Sequence, residues 1–496
     1  MMNPGRTARK TSPGSALIVV LWALVLLGVG VISVLHATRL DLKVAKNFGD
    51  RVQARFLALA GVERAKAAIY QEREALKTGD GRFSTRLFDD PATFKDVALG
   101  RGSFQVFRRA RALEKAEGSS DIIHGLEEEE SRLNVNLASI QELQKLYGMT
   151  EEVAASIKDW RDEDSRLTPM GAEEEYYAGL RPSYRIRNAP FETLRELLLV
   201  QGVTPDLLLG EDVNANGLLD PEENDGARSL PADNADGFLD AGWSEYLTLD
   251  SSVLNLNRRG EHRVNITSAS AQDLGGVEGL SADLAGAIVE HRKVKQAATL
   301  DDLLDVKRVE KIEQPAGNPS PASGTNPAAR PAGNNPTVGP TPPGRTPTSS
   351  GRRGSPATPS PEYREVGSPL ISQELLIEIA DGLTTRGHRL EGAVNINTAS
   401  TVVLACLPGM TEDLAIAVVD HRRRSGFFSN IAELLNVPGI TRQIFKQVNP
   451  RVSVRSGTFR ILSEGRIPSS GARKRVEVVI RLDEHEMKTL YYREDS

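Results

Sequence analysis

Asp212-Val-Asn214-Ala-Asn216-Gly217-Leu218-Leu-Asp220-Pro-Glu-Glu223 spaces its oxygen donors as an EF-hand-type calcium loop does. Asp212, Asn214, Asn216, Asp220 and Glu223 supply side-chain oxygens, and Leu218 offers its backbone carbonyl. Gly217 makes the sharp bend. Hard oxygen donors in this order wrap a calcium ion, and three formal negative charges predict a modest, extracellular-type affinity. The competing reading is an acidic Asn/Gly turn that binds nothing. A second candidate loop holds Asp233, Asn234, Asp236 and Asp240. It is degenerate, because in EF-hand register its first position is Ala232 and its twelfth is Trp243. It could use Asp233 or Asp225 instead, or share ligands with the first loop. The gap between the loops is too short for two full helices. Structural Ca2+ is therefore expected to staple an irregular region, not a regular EF-hand pair.

No other chemistry announces itself. His36, His124, His262, His291, His388, His421 and His485 are scattered, with no zinc-ligand pair. His291 and His421 hold the same place in two repeats and are expected on helix surfaces. No nucleophile elbow, P-loop or dinucleotide fingerprint occurs, so no enzyme activity is expected.

The elements that must carry these loops begin with a membrane segment. Ala16 to Leu35 is an uncharged run without proline, long enough to cross a bilayer as one helix. A short basic stretch precedes it, with Arg6, Arg9 and Lys10. That flank predicts a cytoplasmic N-terminus with the bulk of the chain beyond the inner membrane. The run is longer than a signal-peptide core, and Val34-Leu35-His36 follows where a cleavage site would need small residues. Two readings remain: a plain N-terminal anchor, or a prepilin-type leader cleaved between Gly14 and Ser15. The helical pattern continues through Val52, Phe56, Leu59, Val62 and Ala65 or Lys66 at three- and four-residue steps, to about residue 75. A helix half in lipid and half outside suits a filament subunit.

The chain has 496 residues, a formal charge of −6 and one cysteine, Cys406. Without residues 1–14 there remain 58 Lys+Arg against 67 Asp+Glu, or −9, which argues against general nucleic-acid binding. No intramolecular disulfide can form. Gly102–Arg111 and Asp121–Glu129 read as a β-hairpin, and Gly457–Gly465, Arg473–Leu482 and Lys488–Arg493 read as further strands. Strands at both ends enclose a helical middle. The expected fold is α+β: a pilin-like long N-terminal helix packed on an antiparallel sheet, with a large inserted α-helical domain. The expected boundaries are 1–14 for the leader, 15–75 for the helix, with 16–35 in the membrane, and 76–131 for the first strands. The inserted domain takes 132–450, and 451–496 completes the sheet.

The middle contains a three-copy repeat. The copies start at Arg132 (RLNVNLASIQELQKLYGMTEEVAASIKDWR), Arg263 (RVNITSASAQDLGGVEGLSADLAGAIVEHR) and Ala393 (AVNINTASTVVLACLPGMTEDLAIAVVDHR). They define units near 132–164, 263–309 and 393–450. Each predicts a helix, a hairpin at Gly148, Gly279 or Gly409, and a second helix. Asn136, Thr267 and Asn397 are placed to cap the first helix. The third copy adds a hairpin at Pro438-Gly439. These units resemble the helix-hairpin-helix family, whose DNA-binding form usually has a second glycine two residues after the first. Here those positions are Thr150, Ser281 and Thr411, followed at once by acidic residues. Carboxylates repel phosphate, so the hairpins are expected to serve packing. Arg422, Arg423 and Arg424 read as a solvated helix end. Residues 313–361, rich in Pro and Gly, cannot bury a core and are expected to be disordered. An amphipathic helix, Leu370–Leu383, follows them.

Together, the Gly14/Ser15 junction, ALIVVLWALVLL, ARFLALAGVERAKAAI, the split sheet and the N-V-N/N-I-N-T-A-S repeats resemble the minor pseudopilin K family of type II secretion. Most pilins carry Glu at mature position 5; counted from Ser15 that residue is Val19, and the K subunits look like the exception. The resemblance implies a non-enzymatic subunit at the pseudopilus tip that initiates the filament. It implies cleavage after Gly14, methylation of Ser15 and family use of calcium. It implies as partners minor pseudopilins I and J, the major pseudopilin, prepilin peptidase and the inner-membrane assembly platform. The stretch 313–361 and the three-copy repeat depart from the family pattern. The main alternative is a membrane-anchored DNA-uptake protein built on the same hairpin units. A third is a calcium-dependent dockerin-type module, supported by one intact loop.

Overall fold

The computed structural model describes residues 13–78, 86–110, 122–214, 219–228, 233–295, 299–311 and 363–495. One helix, Pro13–Thr78, runs unbroken for 66 residues, about 99 Å at 1.5 Å per residue. From Leu17 to Gly49 it touches almost nothing, and its apolar window is unburied. From Ala54 onward one face packs on a sheet.

The buried face is Ala54, Leu57, Ala58, Val62, Ala65 and Ile69, set against Phe104, Val106, Ile461, Val476, Val478 and Ile480. This shifts the stripe read from the sequence. Val62 and Ala65 face the core, while Phe56 is 60% exposed. Small residues sit on the buried side because the sheet approaches the helix backbone closely. At Gly465 an added Cβ would collide with the Ala54 carbonyl oxygen and lie 2.6 Å from the Ala58 nitrogen.

The sheet is antiparallel, in the order Val97–Leu99, Gly102–Arg109, Thr458–Ile467, Ala472–Leu482, Met487–Glu494. Neighbours Gly102–Arg109 and Thr458–Ile467 lie about 350 residues apart in the chain, and the helical domain is inserted between them. The expected hairpin of 102–111 with 121–129 is only partly formed. Ile122–Ile123 pairs with Arg108–Arg109, but Glu127–Glu128 crosses over to pair with Phe459–Arg460. The crossing occurs at Gly125, whose missing Cβ lets the chain lie against the Phe88 backbone.

The inserted domain has its own core, with Trp160, Tyr177, Phe191, Phe428 and Phe445 fully or nearly buried. Each repeat opens with a two-residue strand that pairs in parallel with a later segment: Leu133–Asn134 with Leu247–Thr248, Val264–Asn265 with Leu383–Thr384, and Val394–Asn395 with Val452–Ser453. The expected 370–383 helix is shorter, Gln373–Ile379 followed by a 3-10 turn. Residues 313–361 lie outside the described residues.

Where the chain enters and leaves the insertion, three consecutive glutamates are buried, Glu128, Glu129 and Glu130. Glu129 pairs with Arg460 at 2.7 Å and Arg132 at 3.5 Å. Burial opposes its charge, yet the two guanidiniums hold its carboxyl below the usual range. Glu130 accepts from the Ser252 and Thr458 amides at 3.0 and 3.2 Å. Burial, reinforced by the Glu128 carboxylate, pushes Glu130 well above that range.

Candidate functional site

Asp212 and Glu223, first and last donors of the candidate calcium loop, are both buried. Thr204 caps the short helix Pro205–Leu208 that leads in, and Asp220 with Pro221 opens the 3-10 turn that leads out. Asn214 Nδ2 donates to Asp220 Oδ2 at 2.8 Å, and the Asp220 amide donates to Glu223 Oε2 at 3.1 Å. Glu223 Oε1 is buried with no hydrogen-bond partner among the described residues. Burial raises the Glu223 carboxyl, the Asp220 N–H works against that, and the charge of Asp212 adds to it. Two buried carboxylates that repel each other, one with an unspent oxygen, are the donor set that a hard divalent cation neutralises. The residues therefore fit calcium. Asn216 and Leu218 lie outside the described residues.

The second loop spends its donors differently. Asp233 accepts from the amides of Ala235, Gly226 and Asp225 at 2.7, 2.9 and 3.0 Å. Asn234 and Asp236 each accept from the amide two residues on, at 2.8 Å. Glu211 binds the amides of Asn234 and Asp240, closing the second loop onto the first. Asx turns account for this acidic spacing.

The hairpin repeats share one internal lock. The first Asn of each copy accepts from the amide two residues later: Asn134 from Asn136 at 2.9 Å, Asn265 from Thr267 at 2.9 Å, Asn395 from Asn397 at 3.0 Å. An arginine in the last turn of each second helix returns to two carbonyls at the start of its own copy. Arg422 reaches Ile396 at 2.7 Å and Ala399 at 2.9 Å, and Arg292 reaches Ile266 and Ala269 at 2.9 and 3.0 Å. Arg161 does the same to Val135 and Ala138. Arg422 is thus a clamp, not a solvated helix end.

Asn136, Thr267 and Asn397 do not cap the first helices. Ser139, Ser270 and Ser400 do, because they sit directly before the first helical turn with extended backbone. Asn136 instead bridges Phe191 and Leu249, and Asn397 bridges Phe428 and Val454, tying each turn to later chain. His291 is also misplaced by the sequence reading. It is 3% exposed, with Nδ1 facing the Lys307 amide at 3.4 Å.

The hairpin tips are occupied. Gly148, Gly279 and Gly409 have φ of 72°, 85° and 73°, as a tight turn demands. A Cβ at Gly148 would meet Leu207 at 2.8 Å, and one at Gly279 would meet Ile379 at 3.1 Å. Thr150, Ser281 and Thr411 accept from the amides of Val153, Leu284 and Leu414 at 3.3 Å. These hydroxyls sit where a phosphate-binding hairpin needs bare N–H groups.

Residues 120–209 match the family described as type II secretion system (T2SS), protein K. The chain carries a type II secretion protein K domain. The match bears out the resemblance to the protein K family and covers the first hairpin repeat, not the leader or the long helix. The protein K domain takes in the buried glutamates, the first hairpin repeat and the aromatic cluster around Trp160, and ends just before Asp212. Residues 260–315 and 391–453 match the helix-hairpin-helix motif, covering the second and third copies.

Type II secretion system protein K of Pectobacterium carotovorum subsp. carotovorum is 37% identical over 57 residues, 12% of this chain and 17% of that protein. Endonuclease/exonuclease/phosphatase family domain-containing protein 1 of Mus musculus is 25% identical over 228 residues, 45% of this chain and 33% of that protein. The Homo sapiens protein of that name matches to the same extent. The aligned part thus spans about a third of these mammalian relatives. The crystal structure of the GspK-GspI-GspJ complex from the enterotoxigenic Escherichia coli type 2 secretion system aligns over 92% of this chain and 99% of that chain, at 13% identity and a TM-score of 0.39.

Proposed function

We propose that this chain is a non-enzymatic minor pseudopilin of a type II secretion system. One observation carries the proposal beyond the domain match. A single helix leaves its first half, apolar and unburied, for lipid and neighbouring subunits, and packs its second half on a sheet. Beyond the membrane-length run, Leu40, Val44, Phe48, Val52 and Phe56 make an exposed ridge at four-residue steps. Such a ridge is the surface that packs into the groove of another helix.

In this reading prepilin peptidase cuts after Gly14 and methylates the Ser15 amine. The helix then waits in the inner membrane, N-terminus cytoplasmic and bulk periplasmic, until the assembly platform extracts it. The subunit begins the pseudopilus with minor pseudopilins I and J, above the major pseudopilin. Val19 in place of a glutamate suits a subunit that docks on no earlier one, and the bulky insertion suits the tip. Calcium in the Asp212–Glu223 loop supplies rigidity to a domain without disulfides. Capped, occupied hairpin tips support packing over DNA uptake.

The test is the mature N-terminus, read by mass spectrometry after co-expression with an active prepilin peptidase. A chain starting at Ser15, with or without one methyl group, is the expected result. A chain retaining residues 1–14, while the peptidase cleaves a control substrate, would reduce the helix to a plain anchor. Gly14→Ala is expected to block the cut.

A further inference from the structure

His262 and His388 are 126 residues apart in the chain, and Glu484 lies another 96 beyond. The fold brings their ligand atoms within 4.8 Å of one another. His262 Nε2 lies 3.3 Å from Glu484 Oε1, and the two imidazoles stand edge to face with centroids 5.1 Å apart. Each comes from a different piece of backbone, and each piece is held. His388 precedes the strand Arg389–Glu391, which pairs with Ser252–Leu254, and its carbonyl accepts from the Asn255 amide at 2.9 Å. His262 bridges to Leu256 across the turn at Gly260.

Glu484 sits in the turn between the last two sheet strands. Arg73 of the long helix donates to the carbonyls of Asp483 and Glu484 there. Arg389 donates to Asp483 Oδ1 at 2.7 Å and to the Leu482 carbonyl at 3.1 Å. The three donors thus meet where inserted domain, sheet and long helix converge.

We infer that His262, His388 and Glu484 form a site for a divalent transition cation of the zinc class. Two imidazoles and one carboxylate are a ligand set zinc takes at about 2.0–2.2 Å, leaving a fourth position for water. Tetrahedral ligands at that distance stand about 3.3 Å apart. His262 and Glu484 are already at 3.3 Å. The other donors, within 4.8 Å, would close by up to about 1.5 Å around an ion. Imidazole nitrogen favours this class over calcium, which separates the site from the Asp212 loop. All three side chains are exposed, so the ion enters from solvent without unfolding. Bound there, it cross-links the insertion to the sheet, a role the single cysteine cannot fill.

The test uses the full chain in detergent, without a histidine tag, and with calcium in excess so that the oxygen loop does not take up the probe. Co2+ is titrated by its visible absorption and then displaced with Zn2+. The expected result is one saturable equivalent with a tetrahedral spectrum, displaced by Zn2+. In His262→Gln and His388→Gln, affinity should fall by more than about tenfold, since losing even an outer-shell partner costs about that much. Zn2+ should raise the melting temperature of the parent and not of the variants, whose metal-free melts should match the parent. Absence of saturable binding, or binding unchanged in both variants, would overturn the site.

Discussion

A buried carboxylate reports its surroundings through its proton, and Glu129 and Glu130 report opposite things. Glu129 lies between Arg460 and Arg132 and is held below 4.5; Glu130 has uncharged donors, the Ser252 and Thr458 amides and the Thr458 side chain, with a second carboxylate nearby, and is held above it. The signs separate by pH. Below 4.5 the folded chain keeps Glu129 ionised where the unfolded chain protonates it, so that stability is lost as pH falls. Above 4.5 the folded chain keeps the proton on Glu130 where the unfolded chain has released it. Stability then falls as pH rises toward the folded value. One proton held differently changes stability by about 1.4 kcal/mol per pH unit at most. Melting temperature against pH, from 4.5 to 7, should therefore fall more steeply for the parent than for Glu130→Gln. Parallel curves would mean that Glu130 is ionised in the folded chain.

Helix and sheet meet without room for a methyl group, and that is an element's property more than a residue's. Gly465 lets Thr458–Ile467 lie on the helix backbone, so Gly465→Ala drives a Cβ into the Ala54 carbonyl. Overpacking against backbone costs about 1–3 kcal/mol, since neither element can repack a side chain to yield. Gly286, inside the helix Ala282–Val294, has no atom near its missing Cβ. There the same change should stabilise by about 0.5–1 kcal/mol, because it lowers the entropy of the unfolded chain and raises helix propensity. Chemical denaturation of the two variants should give opposite signs, and a neutral Gly465→Ala would show that helix and sheet can separate.

Elements with a period were legible before any coordinates. The long helix, the strands near the C-terminus and the hairpin copies follow from apolar runs, alternation and self-similarity. What stayed hidden were contacts between distant segments. Nothing in the string Arg422-Arg423-Arg424 distinguishes a clamp from a solvated end, because the carbonyls it needs lie 23 and 26 residues upstream. Asn397 looked like a cap because its local spacing is right, while its partners are Phe428 and Val454. Asp121–Glu129 read as one strand of a hairpin, and nothing in it marked Glu129 as buried, because its countercharge, Arg460, lies at the other end of the chain.

For the molecule as a whole, the question is what holds a long insertion rigid on a small sheet in a chain that can form no disulfide. Packing supplies most of it, through a core running from Leu133 to Val454. The Asp212–Glu223 loop lies in the longest connection between hairpin copies, where regular structure is sparse. Its buried Asp212 and Glu223 repel each other, so the loop is under electrostatic load unless a cation is present. A ligand that binds only the folded state stabilises it by about 2.7 kcal/mol at a hundred times its dissociation constant. Millimolar calcium should therefore raise the melting temperature of the purified chain, and a chelator should reverse the gain. Glu223→Gln removes one of the two opposed charges. The variant should lose the calcium response yet melt, in chelator, no lower than the chelated parent. That pair of outcomes distinguishes a metal site from a merely structural carboxylate, whose loss would lower both melts alike. Superimposable parent melts with and without calcium would leave Asp212–Glu223 as a turn.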